Sequence, residues 1–211
     1  MSKKEETKCI KRCLLVVLVG LPGAGKSIIG EVAQERGYVR VTMGDVIREE
    51  LSRRGLDLTR ENMLRLAREL RKTFGNDIVA RLTVKKIEKM FSMISDNVLK
   101  LLIDGVRSPR EYEYFKNFAS KAPSAKTIIL AVHASPKTRF KRLVERGRVD
   151  DPHTWEEFCE RDKEELGFGI GEVIALADYM IINERKSIED LKREANELFE
   201  LIEGEYFEDT G

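Results

Sequence analysis

The chain predicts an α/β protein: a doubly wound, five-stranded parallel sheet that carries two helical inserts. Three observations predict it. Apolar, β-branched runs alternate with segments of helical periodicity, the pattern of strands buried on both faces. The stretch GLPGAGKS, Gly20 to Ser27, stands where the first of those runs meets a helix. Longer helical stretches break the alternation at 44–96 and at 147–175.

In chain order the strands are CLLVVLV (13–19), a short YVRV (38–41), VLKLLID (98–104), KTIILAVHA (126–134) and DYMIIN (178–183). Helices lie between them. Thr59 is the expected N-cap of a helix whose apolar stripe is Met63, Leu66, Ala67, Leu70 and Phe74. A longer helix carries Ile78, Val79, Leu82, Ile87, Met90, Phe91 and Ile94, and the last carries Leu191, Ala195, Leu198, Phe199 and Ile202. These stripes are expected to be core. Residues 44–96 hold about three helices where one would join two parallel strands. Residues 147–175 form a charged, aromatic-bearing excursion in which GFGIG reads as a hinge or turn. Residues 1–211 are expected to be a single domain, with both excursions at its ligand-binding edge. The acidic end EGEYFEDTG is expected to fray or dock loosely.

Charge is dense but balanced: Lys and Arg number 38 and Asp and Glu 37, a formal net charge of +1. That balance argues against a bulk electrostatic nucleic-acid binder and leaves room for a local basic cleft. Three cysteines, Cys9, Cys13 and Cys159, cannot complete a disulfide framework, and no second Cys/His pair supplies zinc spacing. The basic residues before LLVVLV imitate a secretory leader, but the apolar run is short and leads straight into the glycines. A soluble, cytoplasmic protein without membrane partners is expected.

GLPGAGKS matches G-x-x-x-x-G-K-[ST] in full, between strand and helix as its mechanism requires. Glycines let successive N–H groups turn inward at a helix N-terminus, forming an anion nest. Gly20, Leu21, Pro22, Gly23, Ala24, Gly25, Lys26 and Ser27 would hold a nucleoside triphosphate. Lys26 would reach the β and γ phosphates and the Ser27 hydroxyl would ligate Mg²⁺. Asp104, an acid closing an apolar strand, reads as the residue that orients Mg²⁺ or its water, although an Asp before Gly105 also suits a turn. No N-K-x-D base-reading motif of GTPase switches is present.

The acceptor side is read first from chemistry. Asp45 and Arg48, three apart at a helix start, can share one face near the sheet edge. A guanidinium there can hold a phosphate by two parallel hydrogen bonds, though a plain surface helix fits the same letters. Gly44, Asp45 and Arg48 also resemble the G-D-x-x-R segment of nucleoside monophosphate kinases. DGVR (104–107) resembles their D-G-F-P-R without the proline. RLVERGRVDD (142–151) resembles the lid of short adenylate and UMP/CMP kinases, with a deletion after Gly147. The chain is most similar to an archaeal family of adenylate-kinase-related P-loop proteins.

The resemblance implies a fold of P-loop kinase type, an acceptor-binding insert at 44–96 and a lid at 147–175. It implies that Arg48 and Arg107 grip the acceptor phosphate. Glu111 stands where those enzymes carry a base-reading glutamine, and Met43 where they carry threonine. Arg142, Arg146 and Arg148, followed by Asp150 and Asp151, are then lid residues, with Arg146 and Arg148 countering charge on the migrating phosphoryl group. Arg161 is a further lid candidate. ATP and Mg²⁺ are the implied cofactors, and the implied acceptor is a nucleoside monophosphate or similar small phosphorylated molecule. Two alternatives stay open: a hydroxyl kinase of the dephospho-coenzyme A type, with Asp45 as base, and a nucleotide-binding regulator or weak ATPase. His133, His153 and Trp155 are expected only to pack or to face solvent.

Overall fold

A computed structural model describes residues 11–91, 98–148 and 151–208. Among the described residues, Arg12–Val19 (β1), Val39–Thr42 (β2), Val98–Asp104 (β3), Ser124–His133 (β4) and Tyr179–Ile182 (β5) form one sheet in the order β2-β3-β1-β4-β5. Every pair is parallel. Strand β1 is central, and each residue from Leu14 to Val19 is fully buried, as continuous apolar runs covered on both faces require. The strand order reverses beside β1, so the crevice beyond the carboxyl ends of β1 and β3 is where this topology puts ligands.

The helices are Lys26–Glu35 (α1), Met43–Arg53 (α2), Arg60–Phe74 (α3), Ile78–Phe91 (α4), Pro109–Ala119 (α5), Pro136–Arg146 (α6), Trp155–Gly167 (α7), Ile170–Ala175 (α8) and Ile188–Glu208 (α9). One face of the sheet packs on α1 and α9 through Ile29, Val32, Leu191, Phe199 and Ile202. The other packs on α2–α5 and α8 through Ile47, Leu66, Val84, Phe115 and Val173. Three helices do separate β2 from β3. Thr59 caps α3 by accepting from the Asn62 N–H at 3.2 Å.

Several boundaries move for local reasons. The Tyr38 N–H is taken by the Ala33 carbonyl, which closes α1, so pairing of β2 starts at Val39 and reaches Thr42. Strand β4 begins at Ser124 because it pairs along the full length of β1. Asp178 stays outside β5, its carboxylate accepting from the Ile129 N–H at 2.7 Å. Gly169, with φ of 100°, makes the turn between α7 and α8 within GFGIG.

Three expectations are corrected. Phe74 ends α3 55% exposed, because the last turn of that helix runs past the core it covers, and Met90 is also exposed. The acidic tail does not fray before Glu208: Tyr206 is buried and its hydroxyl donates to the Ser124 carbonyl at 3.1 Å, which docks α9 on the sheet edge. Helix α4 is described as far as Phe91, and Ile94, Cys9 and Asp150 lie outside the described residues. Among the described residues no helix is long and apolar enough to cross a membrane.

Candidate active site

A cleft of about 680 Å³ opens at the carboxyl ends of β1, β2 and β3. Its near wall is the loop 20–27, through Gly20, Pro22, Gly23, Gly25, Lys26 and Ser27, whereas Leu21 and Ala24 do not line it and the Ala24 N–H is taken by the Leu21 carbonyl. Gly23 and Gly25, at φ of 83° and 108°, take the left-handed conformation that turns the chain there. Neither could carry a side chain, since a Cβ on Gly23 would lie 2.7 Å from the Arg139 carbonyl and one on Gly25 2.4 Å from Asn183 Nδ2. The same neighbours prop the loop from behind. Asn183, buried just after β5, donates Nδ2 to the Ala24 carbonyl at 2.8 Å. Arg139 reaches the Pro22 carbonyl at 3.2 Å and is paired with Asp162. Arg142 donates to the Asn183 carbonyl at 3.1 Å and its Oδ1 at 3.2 Å, so its guanidinium braces the loop while still lining the cleft.

Lys26 donates to the Gly20 carbonyl at 2.6 Å. Burial lowers its pKa, and the nearby carboxylate of Asp104 pulls it back up. Asp104, 6% exposed, ends β3 opposite Thr42 and lines the cleft with Ser27. The nest of loop amides and a lysine whose charge is not spent on an ion pair suit a polyphosphate. A hydroxyl and a carboxylate form an all-oxygen donor pair, which suits Mg²⁺. One oxygen of that carboxylate, Oδ2, is engaged by Arg40 Nη2 at 2.6 Å.

The far wall is cationic. Ten lysine and arginine side chains line the cleft against the three acids Asp45, Asp104 and Glu165, although the whole chain is balanced. Arg48 and Asp45, in the first turns of α2, both line it, half exposed and paired at 2.6 Å. Arg107, in the loop after β3, lines it with Nε 3.0 Å from Glu165 and its guanidinium 5.7 Å from the Phe168 ring centroid. Arg146, Arg148 and Arg161 line it from α6, the segment after it and α7. All three converge on the buried Asp151, through Arg146 Nε at 2.8 Å, the Arg148 N–H at 3.1 Å and Arg161 Nη1 at 3.3 Å. Burial pushes the Asp151 carboxyl up, but these bonds and charges outweigh it, so its pKa lies below the ordinary aspartate value.

Glu111 is the correction here. It is fully buried and does not line the cleft: it accepts from Arg71 Nη2 at 2.9 Å and from the Arg107 N–H at 2.8 Å. The reason was legible. SPRE (108–111) is a helix start, with Ser108 accepting from the Glu111 N–H at 3.3 Å and Pro109 at the first helical position. That geometry turns the Glu111 side chain back into the fold. His133 and His153 are exposed, and Trp155 packs on Phe158 and Phe140 at centroid distances of 5.1 and 5.4 Å. Among the described residues no group of three or more Cys, His, Asp or Glu side chains is placed to hold a metal.

Four charged cleft residues carry no assignment from the sequence: Arg40, Arg60, Arg71 and Glu165. Arg71 on α3 is held by Glu111 and sits 4.8 Å from the Phe168 ring centroid, with Nη1 buried and without a hydrogen-bond partner. Glu165 on α7 is buried beside Arg107. No periodicity marks either. Arg40 did leave a signal, the isolated Gly30 inside α1, because a Cβ there would lie 2.3 Å from Arg40 Cζ.

A glycine-lined phosphate nest on the central strand, with an acid on its neighbour in this strand order, defines a P-loop kinase-type α/β protein. Solved structures share that fold. TT1252 from Thermus thermophilus aligns at TM-score 0.56 and 17% identity, covering 90% of this chain and 97% of that one. A shikimate kinase from Bacteroides thetaiotaomicron aligns at TM-score 0.53 and 18% identity, covering 89% and 98%. In sequence, residues 19–158 match the family described as AAA domain. A UPF0200 protein of Hyperthermus butylicus is 47% identical over 192 residues, 91% of this chain and 96% of its own length. One from Thermococcus onnurineus is 45% identical over 193 residues, 92% of this chain and 100% of its own length. The chain belongs to this archaeal UPF0200 family.

Proposed function

We propose that the protein is an ATP- and Mg²⁺-dependent phosphotransferase that moves the γ-phosphoryl group to a nucleoside monophosphate or a similar small phosphorylated acceptor. One observation carries the reading: Arg48 and Arg107 face the same cleft as Lys26, Ser27 and Asp104, so two anion sites share one space. Residues 20–27 would hold the donor phosphates and Lys26 would counter charge on the group in transfer. Ser27 and Asp104 would hold Mg²⁺, which when bound neutralises phosphate charge. Arg48 and Arg107 would clamp the acceptor phosphate, and Arg146 and Arg148 would neutralise the equatorial oxygens in the transition state.

A phosphate acceptor is already anionic near neutral pH and asks for no strong base. In this reading α2–α4 (with 44–96 as its bounds) is the acceptor insert and 147–175 the lid. The bridges of Arg60 and Arg107 to Glu164 and Glu165 keep the lid helix against the acceptor side. Closure over both substrates limits hydrolysis. The free thiols of Cys13 and Cys159 agree with a cytoplasmic setting.

A hydroxyl acceptor is the second reading. It is favoured by Asp45, a carboxylate on the cleft that could take a proton, and by the withdrawal of Glu111 from the acceptor space. The test is ADP formation from ATP with AMP, CMP, UMP and dephospho-coenzyme A offered singly. Turnover with a monophosphate supports the first reading, and turnover with dephospho-coenzyme A alone transfers the case to the second. Slow hydrolysis indifferent to every acceptor would defeat both in favour of a regulator or weak ATPase.

A further inference from the structure

The acid at the end of β3 already has a cation. Arg40 Nη2 lies 2.6 Å from Asp104 Oδ2, and among the described residues no other side chain bonds that carboxylate. The contact is built into the fold rather than being a loose surface pair. Arg40 extends from β2 under helix α1, and its guanidinium occupies the notch left by Gly30. A Cβ on Gly30 would lie 2.3 Å from Arg40 Cζ, 2.5 Å from Nη1 and 2.6 Å from Nε. Arg40 Nε is buried with no hydrogen-bond partner, so the notch places the group at the cost of one donor. Its Nη1 approaches the carbonyl of Ser27 at 3.4 Å, so one guanidinium touches both residues of the oxygen pair.

A fixed unit charge beside a carboxylate weakens that carboxylate's attraction for a second cation. The loop phosphate site, by contrast, gains from every positive charge near it. We propose that Arg40 is a resident counter-cation that keeps the Ser27–Asp104 pair from binding a divalent ion by itself, so that the metal enters only as the metal–nucleotide complex. Arg40 is thus a positioning residue for Asp104 and the determinant of the site's metal affinity. Gly30 is the residue that makes room for it.

The inference rests on Ser27 and Asp104 as the metal side of the proposed phosphotransferase, and the test separates the two. Free Mn²⁺ is titrated with nucleotide-free protein and followed by electron paramagnetic resonance, for the wild type, Arg40→Gln and Gly30→Ala. The second variant keeps the arginine but fills its notch. Only the far end of a flexible side chain must move, and alanine suits a helix interior better than glycine. Both variants are expected to bind Mn²⁺ about tenfold tighter than the wild type. Mn²⁺ affinity that is unchanged or weaker in either folded variant overturns the proposal, and Gly30→Ala alone decides it if Arg40→Gln does not fold. A parallel titration with a non-hydrolysable ATP analogue reads the phosphotransferase assignment. Failure of the wild type to bind the analogue defeats that assignment, while the Mn²⁺ comparison still decides the role of Arg40.

Discussion

The two walls of the cleft handle anions by different means. The loop wall, Gly20 to Ser27, is contiguous in sequence, offers main-chain N–H groups, and takes its shape from glycines at the end of a buried strand. The facing wall is assembled from α2, α3, the loop after β3, α6 and α7, and it offers guanidinium groups. Most of its arginines are held by an acid: Arg71 by Glu111, Arg107 by Glu165, Arg146 and Arg161 by Asp151, and Arg48 by Asp45 on its own helix. A main-chain nest costs only local backbone geometry, whereas a cationic wall must be stabilised charge by charge. Two of those acids, Glu111 and Asp151, are buried behind the cleft surface, while Asp45 and Glu165 line it.

That contrast can be broken at the facing wall first. Removing one partner of a buried pair leaves the other charge uncompensated, so Glu111→Ala should destabilise the protein by about 3 kcal/mol. Urea unfolding that shows a loss below about 1 kcal/mol would mean that Arg71 is solvated after all. At the loop wall, Lys26→Ala should remove at least ~2 kcal/mol of transition-state stabilisation, read as kcat/KM in the ADP-formation assay, with little change in stability. Unchanged turnover would contradict its assigned role. Arg48→Ala should raise the acceptor KM about tenfold while leaving ATP affinity alone, as suits a half-exposed charge-assisted contact. Equal weakening of both substrates would erase the distinction between the walls.

The smallest effect concerns acid. The folded pKa of Asp151 lies below its unfolded value, so its contribution is present above the ordinary aspartate range and is lost as pH falls through the folded value. Fluorescence of Trp155, the chain's single tryptophan, at the start of α7, should report a change over that acid window. Asp151→Asn should abolish it, and superimposable titrations would remove Asp151 from its place as the anion that gathers Arg146, Arg148 and Arg161.

Legibility followed the same divide. Strand β3 reads from its letters to its end at Asp104, and Thr59 announces the cap of α3. The loop 20–27 could be assigned whole, because its residues are neighbours and its glycines have one physical reason to be there. At Glu111 two local signals conflict, and the helix start SPRE prevails over the position of the residue in the motif. No local pattern marks Tyr206 as an anchor, since its partner, the Ser124 carbonyl at the start of β4, lies 82 residues away in sequence. Arg40 stood in plain view on a short strand, yet only packing on α1 shows that it points at Asp104.

By itself the sequence determined the alternation of strands and helices, the phosphate nest and the acid at the end of β3. Those features depend on local periodicity and backbone conformation, which neighbouring residues dictate. Tertiary structure alone decided which arginines share the cleft and which acids reach Arg60, Arg71 and Arg107 from distant segments. These are contacts between segments 40 to 104 residues apart, as with Glu111 and Arg71 or Glu164 and Arg60, and no local pattern encodes a partner at that distance.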